Sequence, residues 1–229
     1  LWLRLERPGQ RLLDVGCGNG EYLAAMRWAG WDVSGVEPDP ESVQMGRSQL
    51  GLEIHQGVLE DVCLPDESFD VITMQHAVEH LPDPVRTLQV AYRLLRPGGR
   101  LVVVTPNVNS LARRFFSHHW VSWDPPRHLF LFSNRALRRA LAEAGFGVRQ
   151  AWTPARTARW VVQTSLQIRR EGKCTNAARP KYGPAARWGG RLLRLAENAL
   201  SPILPLGEEL VMVAARPKET SSREGEKRA

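Results

Sequence analysis

Cysteine is scarce in this chain. Three occur in 229 residues, at positions 17, 63 and 174, and no two share the C-x-x-C spacing of a zinc ribbon or a redox pair. A disulfide framework is thereby excluded as the source of stability, and a reducing compartment, the cytoplasm, is expected. Long apolar runs are missing too: nothing approaches the roughly 20 residues that span a bilayer. The chain begins with Leu1 rather than Met, close ahead of the first expected strand. It is therefore expected to start inside a longer protein, and the lack of a signal peptide carries no weight. Internal repeats are also absent. Acidic residues run short in one region only. Across residues 155–205 ten Lys and Arg face Glu171 and Glu197, and ten minus two leaves +8 against +7 for the whole chain. The excess is a local basic surface, not a property of the whole protein.

What is present first is a turn. Leu12–Leu23 reads Leu-Leu-Asp-Val-Gly-Cys-Gly-Asn-Gly-Glu-Tyr-Leu, an apolar run, a glycine cluster and the start of an apolar-periodic segment: strand, tight turn and helix. Glycines at 16, 18 and 20 take away the Cβ atoms that would hold a ligand off the backbone, and a helix N-terminus behind them offers free N–H groups. A small polar molecule is expected to lie across this turn.

The rest follows in alternation. Strands are expected over Arg11–Val15, Asp32–Glu37, Glu53–His55, Phe69–Met74, Leu101–Thr105, Phe146–Thr153 and Glu209–Ala214. Helices are expected over Tyr22–Ala29, Ser42–Leu50, Val85–Leu95 and Arg135–Ala144, with two more (about Thr157–Arg170 and Ala185–Leu200) in the basic stretch. Asp83 caps the third helix with Pro84 at its first position. Asn107–Leu131, rich in His, Trp, Phe and Pro, shows no clean period and is read as a long functional loop. Such alternation argues for an α/β, doubly wound, Rossmann-like sheet with helices on both faces. One domain is expected over 1–215, carrying a basic helical insertion at about 155–205, and a disordered charged tail over 216–229.

The acid that ends strand two, Glu37, is placed to accept both ribose hydroxyls of a nucleoside and would repel a 2′-phosphate, which disfavours NADP. NAD fares little better. Its G-x-G-x-x-G fingerprint laid on Gly16 and Gly18 needs glycine at 21, where Glu21 stands. Asp14, ending strand one, is free to accept from a ligand ammonium or from the turn's own N–H groups.

Asp14-Val-Gly-Cys-Gly-Asn-Gly20, Glu37, Leu-Pro-Asp-Glu-Ser-Phe-Asp-Val-Ile (64–72) and Leu94-Leu-Arg-Pro-Gly-Gly-Arg-Leu101 together resemble the class I S-adenosylmethionine-dependent methyltransferases. The likeness is nearest the branch with the ubiquinone-biosynthesis O-methyltransferases, and covers about Arg11–Thr153 plus the final strand. It implies a seven-stranded sheet with an antiparallel last strand inserted between the fifth and sixth. It also implies S-adenosyl-L-methionine as cofactor, with Gly16, Gly18 and Gly20 at its methionine part and Glu37 on its ribose. The 58–60 loop would lie at the adenine. Val58 replaces an acid that many relatives use there, so the Leu59 backbone and Glu60 are expected to hold the base, with Gln75 also against the cofactor.

Methyl transfer to a hydroxyl calls for alignment and a base, and histidine is the natural base at neutral pH. Two sites compete. His76, Glu79 and His80 follow strand four at i, i+3 and i+4, on one helical face. His76 is nearest the strand end and is expected to face the substrate. Some ubiquinone-pathway relatives bind a divalent ion through Glu-x-x-Glu-His at this place; with His76 for the first Glu, no metal is expected here. The second site is Trp120–His128, where two prolines stiffen the loop, Arg127 is free to grip an anion and His128 to take the proton. Nucleobase amino-methyltransferases carry an Asn/Asp-Pro-Pro-aromatic motif after strand four, where this chain reads Met-Gln-His-Ala (74–77), so nucleic acid is not expected as substrate. The basic insertion is read as a lid helix with a solvated face, or as a peripheral contact with anionic lipid at the inner membrane face. The expected function is O-methylation of a small-molecule or lipid-linked substrate. A catalytically silent domain of the same fold and an NAD-dependent oxidoreductase stand as alternatives.

Overall fold

The computed structural model describes Leu3, residues 5–172, Trp188, Leu195 and residues 206–218. Seven strands form one sheet in the order β3-β2-β1-β4-β5-β7-β6. They are β1 (Arg11–Val15), β2 (Asp32–Glu37), β3 (Glu53–Gln56), β4 (Phe69–Gln75), β5 (Leu95–Pro106), β6 (Gly147–Trp152) and β7 (Glu209–Ala215). The first five run parallel, and β7 lies antiparallel between β5 and β6. The doubly wound expectation thus stands, antiparallel insertion included.

Side-chain alternation along the strands builds two cores, one on each face. Leu12, Val33, Val71 and Val102 meet Leu23 and Met26 of α1 (Glu21–Trp28) and Val43 of α2 (Pro40–Leu50). Their neighbours Leu13, Ile72 and Leu101 meet Leu88, Ala91 and Leu94 of α3 (Pro84–Leu94) and Leu137 and Leu141 of α5 (Asn134–Glu143). The helix starts are set by short polar side chains: Asp39, Asp83 and Ser133 each accept a backbone N–H from three residues on.

Three local expectations change. The Pro97-Gly98-Gly99 segment does not separate helix from strand. Leu95 already pairs with Phe69, a register shift absorbs the extra residues, and β5 runs twelve residues. Residues 107–131 hold a short helix α4 (Leu111–Phe116), capped by Ser110, then two 3-10 turns over Ser117–His119 and Val121–Trp123. Their apolar side chains have a partner that pattern alone cannot show. Ala112, Phe116, Trp120 and Val121 pack on Val161 and Val162 of α6 (Ala158–Glu171), forming a third core. The tail does not come loose at Arg216: its N–H bonds Gly99, its guanidinium bonds the Leu95 carbonyl at 2.8 Å and the Glu67 carboxylate at 2.5 Å. Of the helix expected over Ala185–Leu200 only Trp188 and Leu195 are described, both helical, and the tail from 219 lies outside the described residues. Among the described residues no helix is long and apolar enough to cross a membrane.

Candidate functional site: a glycine cradle beside an aromatic cavity

The site lies at the C-terminal ends of β1, β2, β4 and β5, where a switch in strand order opens a crevice in such sheets. The turn after β1 binds itself first. Gly16 and Cys17 donate to the Val36 carbonyl, and Gly18 donates to Glu37 Oε2 at 2.8 Å. Glu37 Oε1 accepts from Asp39 N–H at 3.0 Å. Gly18 and Gly20 sit at φ 53° and 81°, the left-handed region. A Cβ on Gly20 would press into Leu52, whereas one on Gly18 would meet nothing within 4 Å. Gly18 therefore faces open space, as a backbone that cradles a ligand must.

Asp14 is 3% exposed and accepts from Thr73 Oγ1. Burial, with help from the charge of Glu37, raises its pKa to about 7 despite that hydrogen bond. A carboxylate held so is eased by a cationic ligand group. Burial and the same acids push the Cys17 thiol up to about 12, so it stays an inert neighbour. Of the residues expected at the base, Leu59 is buried in the core by its side chain, leaving only its backbone for a ligand. The Glu60 carboxylate accepts from Thr87 on α3, so one of its oxygens is already in use. Gln75 closes β4, its backbone paired with Val104. Asp14, Gly16, Gly18 and Glu37 thus gather at one turn, with Gly20 backed against Leu52, and the open space over Gly18 with the acid beside it fits a nucleoside bearing a cationic tail.

Ala77 joins this cradle to a second space: a Cβ on Gly16 would stand 2.8 Å from the Ala77 Cβ. Beyond it lies a cavity of about 800 Å³ lined by His76, Pro106, Trp120, Trp123, Arg127, His128, Trp160 and Glu209, among others. His76 does not begin an α-helix. It sits at φ 52° with its N–H on the Val104 carbonyl, and a 3-10 turn over Val78–His80 follows. His76 and His80 therefore part company. His76 Nε2 lies 3.2 Å from Glu209 Oε1 and Nδ1 lies 3.4 Å from Glu79 Oε1. Burial disfavours its charged form, but the hydrogen bonds and charges of Glu209 and Glu79 prevail and raise its pKa to about 9. At neutral pH it is an imidazolium with both nitrogens engaged, which suits charge pairing and not the base role expected of it.

His80 Nδ1 instead meets the Arg127 carbonyl at 2.8 Å, and its ring lies 4.8 Å from that of His128. Glu79, His80 and His128 bring one ligand-type atom each within 4.8 Å of one another. Glu79, however, already accepts from Thr105 Oγ1 at 2.9 Å and faces the His76 imidazolium. We read the set as a hydrogen-bonded cluster that fixes the 120–128 segment. His128 Nδ1–H donates to the Ser122 carbonyl at 2.7 Å, which leaves Nε2 with a free lone pair at the cavity wall. Arg127 pairs with Asp124.

Glu208 and Glu209 were not singled out as site residues by sequence reasoning. Glu208 is 2% exposed, accepting from Ala112 N–H and Trp120 Nε1; Glu209 is 5% exposed and reaches His76. A signal existed, since two adjacent acids open an otherwise apolar strand, Leu-Gly-Glu-Glu-Leu-Val-Met-Val (206–213). A solvated edge would not place them ahead of a buried run.

Comparison with known proteins agrees with this geometry. A family described as a methyltransferase domain matches residues 1–151. A ubiquinone biosynthesis O-methyltransferase of Cereibacter sphaeroides is 35% identical over 125 residues, 51% of this chain and 51% of that protein. The chain thus spans about half the length of this curated relative. A methyltransferase structure from Thermotoga maritima has a TM-score of 0.60 at 21% identity, covering 92% of this chain and 84% of the other. The phosphoethanolamine N-methyltransferase 2 of Haemonchus contortus, solved with S-adenosyl-L-methionine, has a TM-score of 0.62 at 17% identity, covering 93% and 50%. With the matched domain covering most of the chain, the seven-stranded sheet and the glycine cradle all in agreement, the chain belongs to the S-adenosylmethionine-dependent methyltransferase family.

Proposed function

We propose that this protein methylates an oxygen of a small-molecule or lipid-linked acceptor. The observation that carries this is His128: its Nδ1–H is fixed on the Ser122 carbonyl, so Nε2 stands free to take a hydroxyl proton at the wall of the cavity next to the cradle. The name of the Cereibacter relative supports the choice of oxygen. When bound, S-adenosylmethionine supplies a methyl group on a sulfonium sulfur. The chain does the rest. Glu37 and the glycine turn fix the donor side, Trp120 and Trp123 shape the acceptor side, and both press two reactants into one line of approach. α6 contributes Trp160, Val161 and Ile168 to the cavity wall. Trp160, 53% exposed at the cavity rim, with Arg159, Arg169 and Arg170 on the same helix, supports a peripheral contact with anionic lipid and hence a lipid-linked acceptor.

The test is methyl transfer from labelled S-adenosylmethionine to catechol and to a short-chain quinol. His128→Ala should cut turnover by about 10²–10⁴-fold while affinity for S-adenosylhomocysteine holds. Unchanged turnover would remove His128 as the base, and tight NAD binding without either adenosyl ligand would remove the assignment altogether.

A further inference from the structure

A second cavity lies at the other end of the sheet from the cradle. It measures about 570 Å³ and sits where Arg100 of β5, Ala215 of β7 and Gly147 of β6 stand level in the ladder. Arg100, Arg149, Arg216 and Lys218 line it, and among the described residues no carboxylate does. Leu3, Val213 and Ala215 supply an apolar part of the wall.

Local backbone features gather these cations. Successive side chains of a strand point to opposite faces, yet Arg149 and Gln150 both line this cavity. The reason is a bulge. Val148 pairs with Ala214 and Gln150 with Val213, so Arg149 is the extra residue and leaves the alternation. Lys218 is held by another device. Arg216 exchanges backbone hydrogen bonds with Gly98 and Gly99, and the Lys218 side chain lies along Gly98, where a Cβ would come 3.0 Å from its Cγ.

Two of the four charges are answered within the chain. Arg216 holds the Glu67 carboxylate, and Arg100 that of Glu6 at 2.9 Å, with the Glu6 side chain 63% exposed. Arg149 and Lys218 have no carboxylate partner among the described residues. Four cations less two anions leave +2 around a concave space. Such a surplus focuses field lines and draws anions, and the planar fork of arginine matches a phosphate. A carboxylate brings one negative charge, a phosphate monoester about 1.5 to 2 at pH 7. The phosphate answers the surplus better.

We propose that this cavity binds a phosphate monoester, its phosphate between Arg100, Arg149 and Lys218 and its apolar body against Val213 and Ala215. The site is separate from the donor cradle and the acceptor cavity, and does not depend on which acceptor is methylated.

The experiment titrates the full chain by calorimetry near neutral pH, with and without S-adenosylhomocysteine, using phenyl phosphate, phenyl sulfate and inorganic phosphate. Phenyl sulfate keeps the shape with less charge; inorganic phosphate keeps the charge without the apolar body. Phenyl phosphate is expected to bind at least about tenfold tighter than either. Arg149→Gln and Lys218→Gln should each weaken it at least about fivefold while Tm and S-adenosylhomocysteine affinity hold. His128→Ala, at the acceptor cavity, should leave it unchanged. Vesicles of phosphatidic acid in phosphatidylcholine separate the sources: competition with phenyl phosphate assigns a lipid headgroup, no competition a soluble phosphate, and the proposal stands with either. Failure of the wild-type chain to bind phenyl phosphate, or equal affinity for phenyl sulfate, would overturn it. So would full affinity in a chain carrying both Arg149→Gln and Lys218→Gln. Loss of binding in His128→Ala would also overturn it, by putting the ligand in the acceptor cavity.

Discussion

Glu37 accepts the backbone N–H of Gly18 at 2.8 Å, nineteen residues back along the chain. The acid that ends one strand is thereby tied to the turn that ends its neighbour. A carboxylate has room for about four hydrogen bonds; with Gly18 and Asp39 taking one each, its remaining lone pairs are aimed and held before any ligand arrives.

Glu37→Ala should therefore lose both ribose contacts and the brace on the turn. Hydrogen bonds to a charged group contribute about 1.5–3 kcal/mol each, so S-adenosylhomocysteine should bind at least about tenfold to a hundredfold more weakly by calorimetry. Unchanged affinity would mean that the nucleoside lies elsewhere.

Two glycines of the same turn should fail in different ways. Gly20→Ala places a Cβ 2.4 Å from Leu52 Cδ1 at a φ of 81°, and should cost about 1–3 kcal/mol of stability, read as a lower Tm. Gly18→Ala meets nothing within 4 Å in the protein, so Tm should fall less than in the other variant while S-adenosylhomocysteine affinity drops at least about tenfold. The opposite pattern would show that Gly18 serves the fold and not the ligand.

His76 sets a pH dependence. Its folded pKa of about 9 lies above the ordinary 6.5, so its contribution to stability is complete below about pH 6.5 and fades as pH climbs to about 9. Asp14 acts in the same direction at lower pH, since its raised pKa of about 7 withdraws stability as pH rises from about 4 to 7. A melting series from pH 7 to 9.5 should show the wild-type chain losing more stability than His76→Gln. At pH 7 the variant should be weaker by about 1–3 kcal/mol, because Glu209 and Glu79 lose their cation. Parallel curves would show that the imidazolium is not what holds these acids.

The sheet could be read from the sequence because its information is local. Val, Ile and Leu runs end at acids or glycines, and the helices between them carry their own caps at Asp39, Asp83 and Ser133. The turn after β1 is local too: Asp14, the three glycines and Glu37 all lie within a few residues of strand ends. The acceptor side could not. The spacing of His76 and His80 suggests one helical face, yet a single residue at positive φ sends the two rings to different partners. Glu209 meets His76 only because β7 inserts beside β5, a pairing of residues 133 positions apart. Trp120, read as part of a long loop with no clean period, packs under α6 in a core of its own. Each of these depends on a contact made across the fold, for which periodicity has no signal.

Among the described residues the third core, formed by α4, the turns after it and α6, shares no side chain with the two cores that clad the sheet. Substitutions that repack distant, unshared neighbours act nearly independently. Trp120 and Val161 of this core also line the cavity, so substitutions there would reshape the acceptor side without touching the glycine turn after β1. A chain built this way can change clients without relearning its trade.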